Sequence, residues 1–112
     1  MSPMAAFSSV AKQAEQLRQD GNNYFKKDRF GAAIDAYTEA ITLCPNIPVY
    51  WTNRALCHRK KNNWTRVEED CRKAIQLDNS SVKAKELKME YWSEAGIILE
   101  GTHSTFLELL IT

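Results

Sequence analysis

Apolar residues recur along this chain at helical spacing, and proline, glycine and polar clusters mark where the spacing stops. Over residues 9–27, Ala14, Leu17, Gly21, Tyr24 and Phe25 fall on one helical face. Over residues 30–43, Ala33, Ile34, Tyr37, Ala40 and Ile41 form a second stripe at i, i+3, i+4, i+7 and i+8. Cys44-Pro45-Asn46 ends that element, because proline disfavours helix in the residue before it. Pro48 suits the first position of a third helix, predicted to reach about Lys61. After Asn62-Asn63 a fourth helix is predicted over residues 64–77. Asp78-Asn79-Ser80-Ser81 then supplies turn and cap residues. A fifth helix starts at Val82, with Ala84, Leu87, Tyr91 and Ala95 as its stripe. Beyond it, Gly96 and Gly101 interrupt the pattern, and a short last helix is predicted over residues 104–110.

The pattern echoes itself. Ala40 recurs as Ala74, Ile41 as Ile75, Leu43 as Leu77, Phe30 as Trp64, and small Gly21 as small Ala55. Each pair is offset by about 34 residues, the period of the tetratricopeptide repeat, a helix–turn–helix unit. Such units stack on their neighbours and leave a concave face free for ligands. The predicted fold is therefore all-α: two complete hairpins over 14–47 and 48–81, then the first helix of a third over 82–95, in a right-handed superhelical stack. The expected organisation is a flexible N-terminus over 1–11, the repeat domain over 12–95 and a divergent tail over 96–112.

Composition narrows the function classes. The chain has 112 residues, 44% apolar and 26% charged, with a formal net charge of +1. That balance gives no strong global attraction to nucleic acid or an anionic membrane. No apolar stretch approaches the roughly 20 residues that span a bilayer. MSPMAAFSSV lacks the basic start and apolar core of a signal peptide, and Ser2 stands where myristoylation needs glycine. Three cysteines, Cys44, Cys57 and Cys71, with no close pair, argue against a secreted disulfide scaffold and for cytosol or nucleus.

Two segments carry a closer likeness. EQLRQDGNNYFKKDRFGAAIDAYTEAITLCPN resembles the first repeat of chaperone-binding co-chaperones, and PVYWTNRALCHRKKNNWTRVEEDCRKAIQLDNSSVKA resembles the second. Together they look most like the N-terminal domain of the plant CHIP co-chaperone and ubiquitin-ligase family. The resemblance implies a groove that clamps the Glu-Glu-Val-Asp C-terminus of cytosolic heat-shock chaperones of the seventy- and ninety-kilodalton classes. It places carboxylate-binding side chains at Arg18, Asn22, Asn53 and Lys83, and apolar contacts at Phe25, Val49 and Leu56. Helical geometry agrees, since Arg18 and Asn22 are i, i+4 and share a face. A terminal aspartate offers two carboxylates, to which Arg18 and Lys83 would give charge-assisted bonds and the asparagines neutral donors.

Some positions depart from the family pattern. Arg18 stands where the family usually has lysine, putting a planar fork in place of a point charge. Met89 takes the register of Gly21 and Ala55, where a larger side chain hinders close helix approach. The family continues with the rest of a third repeat, a charged helical spacer and a ubiquitin-ligase U-box, so this sequence reads as a truncated or alternatively spliced product. The expected molecule is thus a peptide-binding adaptor and not an enzyme, with no cofactor or metal, acting in cytoplasmic protein quality control. The alternatives are a generic interaction scaffold, or part of a ligase whose catalytic segment lies elsewhere.

Other constellations carry weaker chemistry. Cys57-His58 are neighbours on a helix, so they point about 100° apart, and no second ligand pair stands at zinc spacing. The cysteines fall on apolar or inter-helix positions, where cysteine behaves as a small hydrophobe. Arg59-Lys60-Lys61 and Lys26-Lys27 suit solvated helix C-termini, where cations are favourable. The aromatic residues, Tyr37 among them, read chiefly as packing residues.

Overall fold

The computed structural model describes residues 3–94, with side chains from Ser9 onward. Among the described residues five helices follow one another: α1 (Pro3–Lys26), α2 (Phe30–Leu43), α3 (Pro48–Lys60), α4 (Trp64–Leu77) and α5 (Val82–Glu94). The bounds of α2 and α4 and the start of α5 are those read from the sequence. Helix α1 begins earlier than expected, at Pro3. Proline is favoured at a first helical position, and the alanines after it carry the best helix propensity. The predicted element over 104–110, and the tail to which it belongs, lie outside the described residues.

The turns repeat as faithfully as the helices. Asp28 and Asn62 occupy equivalent places and both have φ of 58°. Asp and Asn are the residues that enter this left-handed region at least cost after glycine. At each turn the same carbonyls are capped. Asp28 N–H donates to Phe25 O at 3.0 Å and Arg29 N–H to Tyr24 O at 2.9 Å; Asn62 and Asn63 do the same to Arg59 O and His58 O. The connections leading back are equivalent too, with Cys44 N–H on Ala40 O and Asp78 N–H on Ala74 O, both at 2.9 Å. Pro48 opens α3, and Ser81 Oγ accepts from Ala84 N–H at the start of α5.

Each helix packs on the next, and α3 also touches α5. Small residues set the spacing. Ala14, Ala33, Ala40, Ala55, Ala74 and Ala84 are fully buried. Gly21 allows the closest approach: a Cβ there would lie 2.5 Å from Tyr37 Cε1. In the second repeat the equivalent pair is Ala55 and Cys71, both buried in one cluster with Val67 and Leu87. The smaller cysteine admits the methyl that Tyr37 forbids. Met89, third in this register, is 37% exposed, and no helix beyond α5 belongs to the described residues.

One charged group is built into the core. Asp70 on α4 is 3% exposed and receives both Arg54 Nε (2.9 Å) and Nη2 (2.7 Å) from α3. Arg54 also donates to Thr38 Oγ1 on α2 at 3.2 Å and lies over the Trp51 ring. A buried carboxylate is tolerated when a bidentate guanidinium satisfies it.

Candidate functional site

Helices α1 and α3 face each other with polar side chains between them. Asn22 sits one turn after Arg18 on α1, and Asn53 stands opposite on α3. Asn53 Nδ2 approaches Asn22 Oδ1 at 3.5 Å. These two amides, with Phe25, Lys26, Tyr37 and Leu56, line a cavity of about 200 Å³. Its wall is largely apolar and its polar atoms converge, the arrangement expected of a peptide-binding cleft. Phe25 meets Phe30 edge-on with ring centroids 5.3 Å apart, which holds its ring at the rim.

Tyr37 reaches this cavity from α2. Its ring is buried among Ala33 and Cys57, over Gly21. Its hydroxyl donates to Asn22 Oδ1 at 2.5 Å. Burial pushes the phenol up to about 12, so it stays protonated and remains a donor at neutral pH.

Arg18 lies a turn earlier and is held by its own helix. Its Nε donates to Glu15 Oε1 at 2.9 Å, and its Nη2 donates to the same oxygen. Tyr50 Oη on α3 donates to Glu15 Oε2 at 3.3 Å. The Arg18 hydrogen bond lowers the Glu15 pKa below its ordinary value, and in return raises that of Arg18. The arginine thus arrives at this face with one edge of its fork engaged.

Of the residues expected at the site, Asn22, Asn53, Phe25 and Leu56 come together in one cavity. Arg18 stands beside it, bridged to α3 through Glu15 and Tyr50. Val49 and Lys83 do not line that cavity and are exposed, Val49 to 43%. Lys83 forms no ion pair with any described residue.

Two lining residues were not expected. The sequence assigns Lys26 to a solvated helix end, yet it continues the Arg18, Asn22 series at i+4 and opens on the cavity. The sequence makes Tyr37 chiefly a packing residue. Its polar tip meets a residue on another helix, which no local spacing reveals.

The Cys57-His58 pair forms no reactive dyad. Cys57 is fully buried, and burial together with the Asp70 charge pushes its thiol up to about 12. A protonated thiol is a poor nucleophile. His58 Nε2 is 3.8 Å from Asp70 Oδ2, and its buried Nδ1 has no hydrogen-bond partner among the described residues. Among the described residues no group of His, Cys, Asp and Glu is arranged to hold a metal ion, and no helix is long and apolar enough to cross a membrane.

Known proteins share this fold. No protein-family model matches the chain. It is 76% identical over 75 residues to the E3 ubiquitin-protein ligase CHIP of Arabidopsis thaliana, covering 67% of this chain and 27% of that protein. The chain therefore spans about a quarter of the length of this relative. Among solved structures, the second TPR of Spaghetti (RPAP3), bound to the HSP90 peptide SRMEEVD, matches at a TM-score of 0.83 and 26% identity, over 96% of both chains. The second TPR domain of human RPAP3, in complex with the HSP70 peptide SGPTIEEVD, matches at a TM-score of 0.77 and 30% identity, over 90% of this chain and 85% of that one.

Proposed function

The chain belongs to the tetratricopeptide-repeat family, and from that premise we propose that it is a co-chaperone adaptor for the acidic C-terminal tails of cytosolic heat-shock chaperones. The observation that carries this is the pair of asparagine amides, Asn22 and Asn53, converging with Phe25 and Leu56 on one small cavity. Two similar structures hold peptides ending in Glu-Glu-Val-Asp, one from HSP90 and one from HSP70. In the adaptor, Asn22 and Asn53 bind the terminal carboxylates, Arg18 and Lys83 add charge-assisted donors, and Phe25, Val49 and Leu56 take the apolar side chain. The repeats over 12–95 are the binding module.

High identity to a ubiquitin ligase supports a place in protein quality control. The module's part there is recognition: it selects the chaperone and its cargo. No catalytic step is assigned to it, and its setting is the cytoplasm, where those chaperones work.

Calorimetry with a Glu-Glu-Val-Asp peptide tests the clamp. The free acid binds, C-terminal amidation weakens binding, Asn53→Ala weakens it further, and rising salt lowers affinity. Equal affinity for the free-acid and amidated peptides would refute it. A second reading, a scaffold for other partners, draws on a wider cleft of about 560 Å³ between α2, α3 and α4, lined in part by Arg54, His58, Lys61 and Arg66. Under that reading the same titration shows no preference for a free terminus.

A further inference from the structure

We infer that Tyr37 is a positioning residue that fixes the amide orientation of Asn22, so that its N–H₂ group, and not its carbonyl, faces the cavity. The inference rests on the clamp reading and adds to it a residue outside the set of peptide contacts.

An asparagine amide presents two donors on one side and an acceptor on the other, and which side faces a ligand is set by its hydrogen bonds. Here the oxygen is the engaged atom. Tyr37 Oη donates to Asn22 Oδ1 at 2.5 Å, and Asn53 Nδ2 points at the same atom from 3.5 Å. With two donors on Oδ1, the Nδ2 group turns away from both. Asn53 spends at most one of its two amide hydrogens on this contact and keeps the other. The cavity is left lined with donors, which suits a carboxylate and disfavours a carboxamide. Reversing the Asn22 amide would set its N–H₂ against the Asn53 N–H₂, donor against donor, and would oblige the Tyr37 hydroxyl to accept and turn its own proton away from the pair.

Tyr37 is suited to the task because it is enclosed. Its side chain is 2% exposed, and it is packed with Ala33 and Cys57, with Phe25 and Phe30 alongside. Gly21, adjacent to Asn22 on α1, lets the ring lie directly against the α1 backbone. The hydroxyl is therefore delivered to Asn22 by the same contact that sets the α1–α2 spacing. In the second repeat Cys71 stands at the Tyr37 register and Leu56 at the Asn22 register. The donor and its acceptor are absent together there.

Tyr37→Phe removes the hydroxyl and keeps the ring. The variant should bind the free-acid peptide about three- to tenfold more weakly, the usual range for one hydrogen bond. In an Asn22→Ala background the same substitution should have no effect on affinity, because there is no amide left to orient. An equal loss in both backgrounds, or no loss in either, overturns the inference. Side-chain ¹⁵N relaxation of Asn22 in the peptide-free parent gives a second decision that does not depend on binding or on the variant. An order parameter near that of rigid backbone, about 0.85, supports a fixed amide, and one below about 0.6 overturns it. If the parent fails to distinguish free-acid from amidated peptide, the clamp reading falls, and the relaxation measurement still decides whether Asn22 is held.

Discussion

Replacing Gly21 with alanine separates two effects of opposite sign. Helix α1 gains from it, since alanine is favoured over glycine by about 1 kcal/mol in a helix interior. Packing loses. The added Cβ would sit 2.5, 2.8 and 2.9 Å from Cε1, Cδ1 and Cζ of Tyr37, distances that real Cβ atoms essentially never show. Relief needs the ring or α1 to shift by roughly an ångström, and the ring is almost fully enclosed. Overpacking of this kind costs about 1–3 kcal/mol, and contact with a buried ring belongs at the upper end. The net expectation is a loss of about 1–2 kcal/mol, or roughly 5–10 °C in Tm for a domain of this size. Thermal and urea melts followed by circular dichroism would measure it. The register supplies a control: Ala55 faces Cys71 without a clash, so the Gly21→Ala penalty should vanish in a Tyr37→Cys background. A Gly21→Ala variant as stable as the parent, or additive with Tyr37→Cys, would refute the argument that this glycine exists for the tyrosine ring.

Other perturbations test other parts of the molecule. Glu15→Gln removes a negative charge beside the proposed carboxylate site and releases Arg18; at about 6 Å in a water-like medium this is worth about 0.7 kcal/mol, so peptide affinity should rise about threefold by calorimetry, and a fall would show that Glu15 is needed to aim the arginine. Asp70→Ala leaves Arg54 without its partner in a part-buried place and should cost about 3–5 kcal/mol in a urea melt, much of it recovered by adding Arg54→Met; a loss under about 1 kcal/mol would refute the role given to the pair. His58 titrates below its ordinary value of 6.5, chiefly through burial, with Arg54, Lys61 and Arg66 reinforcing the effect and Asp70 opposing it. Between the lowered folded value and 6.5 the unfolded chain binds more protons, so stability is complete above 6.5 and is lost as pH falls through the folded value. His58→Gln should flatten that slope in melts recorded from pH 7 down to 5, and an unchanged slope would assign it to other groups.

The helices were legible because the signals that end them are local. Pro48 opens α3, Pro45 follows the end of α2, and the pair Asp28 and Asn62 supplies the left-handed residue each hairpin turn requires. Lys26 is legible too, at i+4 from Asn22, although a lysine near a helix end also has an ordinary explanation. Tyr37 and Asp70 differ in kind. Each sits on a buried register position, and each makes its decisive bond to another helix, Tyr37 to Asn22 and Asp70 to Arg54. Periodicity shows which face a residue is on but not what its polar atoms meet across the interface. The one trace of Asp70 in the sequence is that it occupies the register of buried Ala36, where a carboxylate needs a partner.

The register also explains where function is written. At core positions the two repeats carry like residues, Ala40 with Ala74 and Ile41 with Ile75, because the same helix pair must pack twice. At the inner face they do not match. Asn22 corresponds to Leu56, Asn53 to Leu87, and Lys83 to Val49 and Glu15. Because the repeats share their backbone geometry, equivalent inner positions present side chains to the groove in equivalent ways, and a ligand would see a periodic surface if the residues matched. A periodic surface cannot fix which way a peptide runs or where it ends. The mismatches can: they gather amide donors between α1 and α3, set Leu56 beside them, and in the proposed clamp add Lys83 on α5, which forms no ion pair with any described residue. In such a repeat protein, the residues that break the echo are therefore the first to mutate when ligand polarity is in question, and those that keep it are the first when stability is.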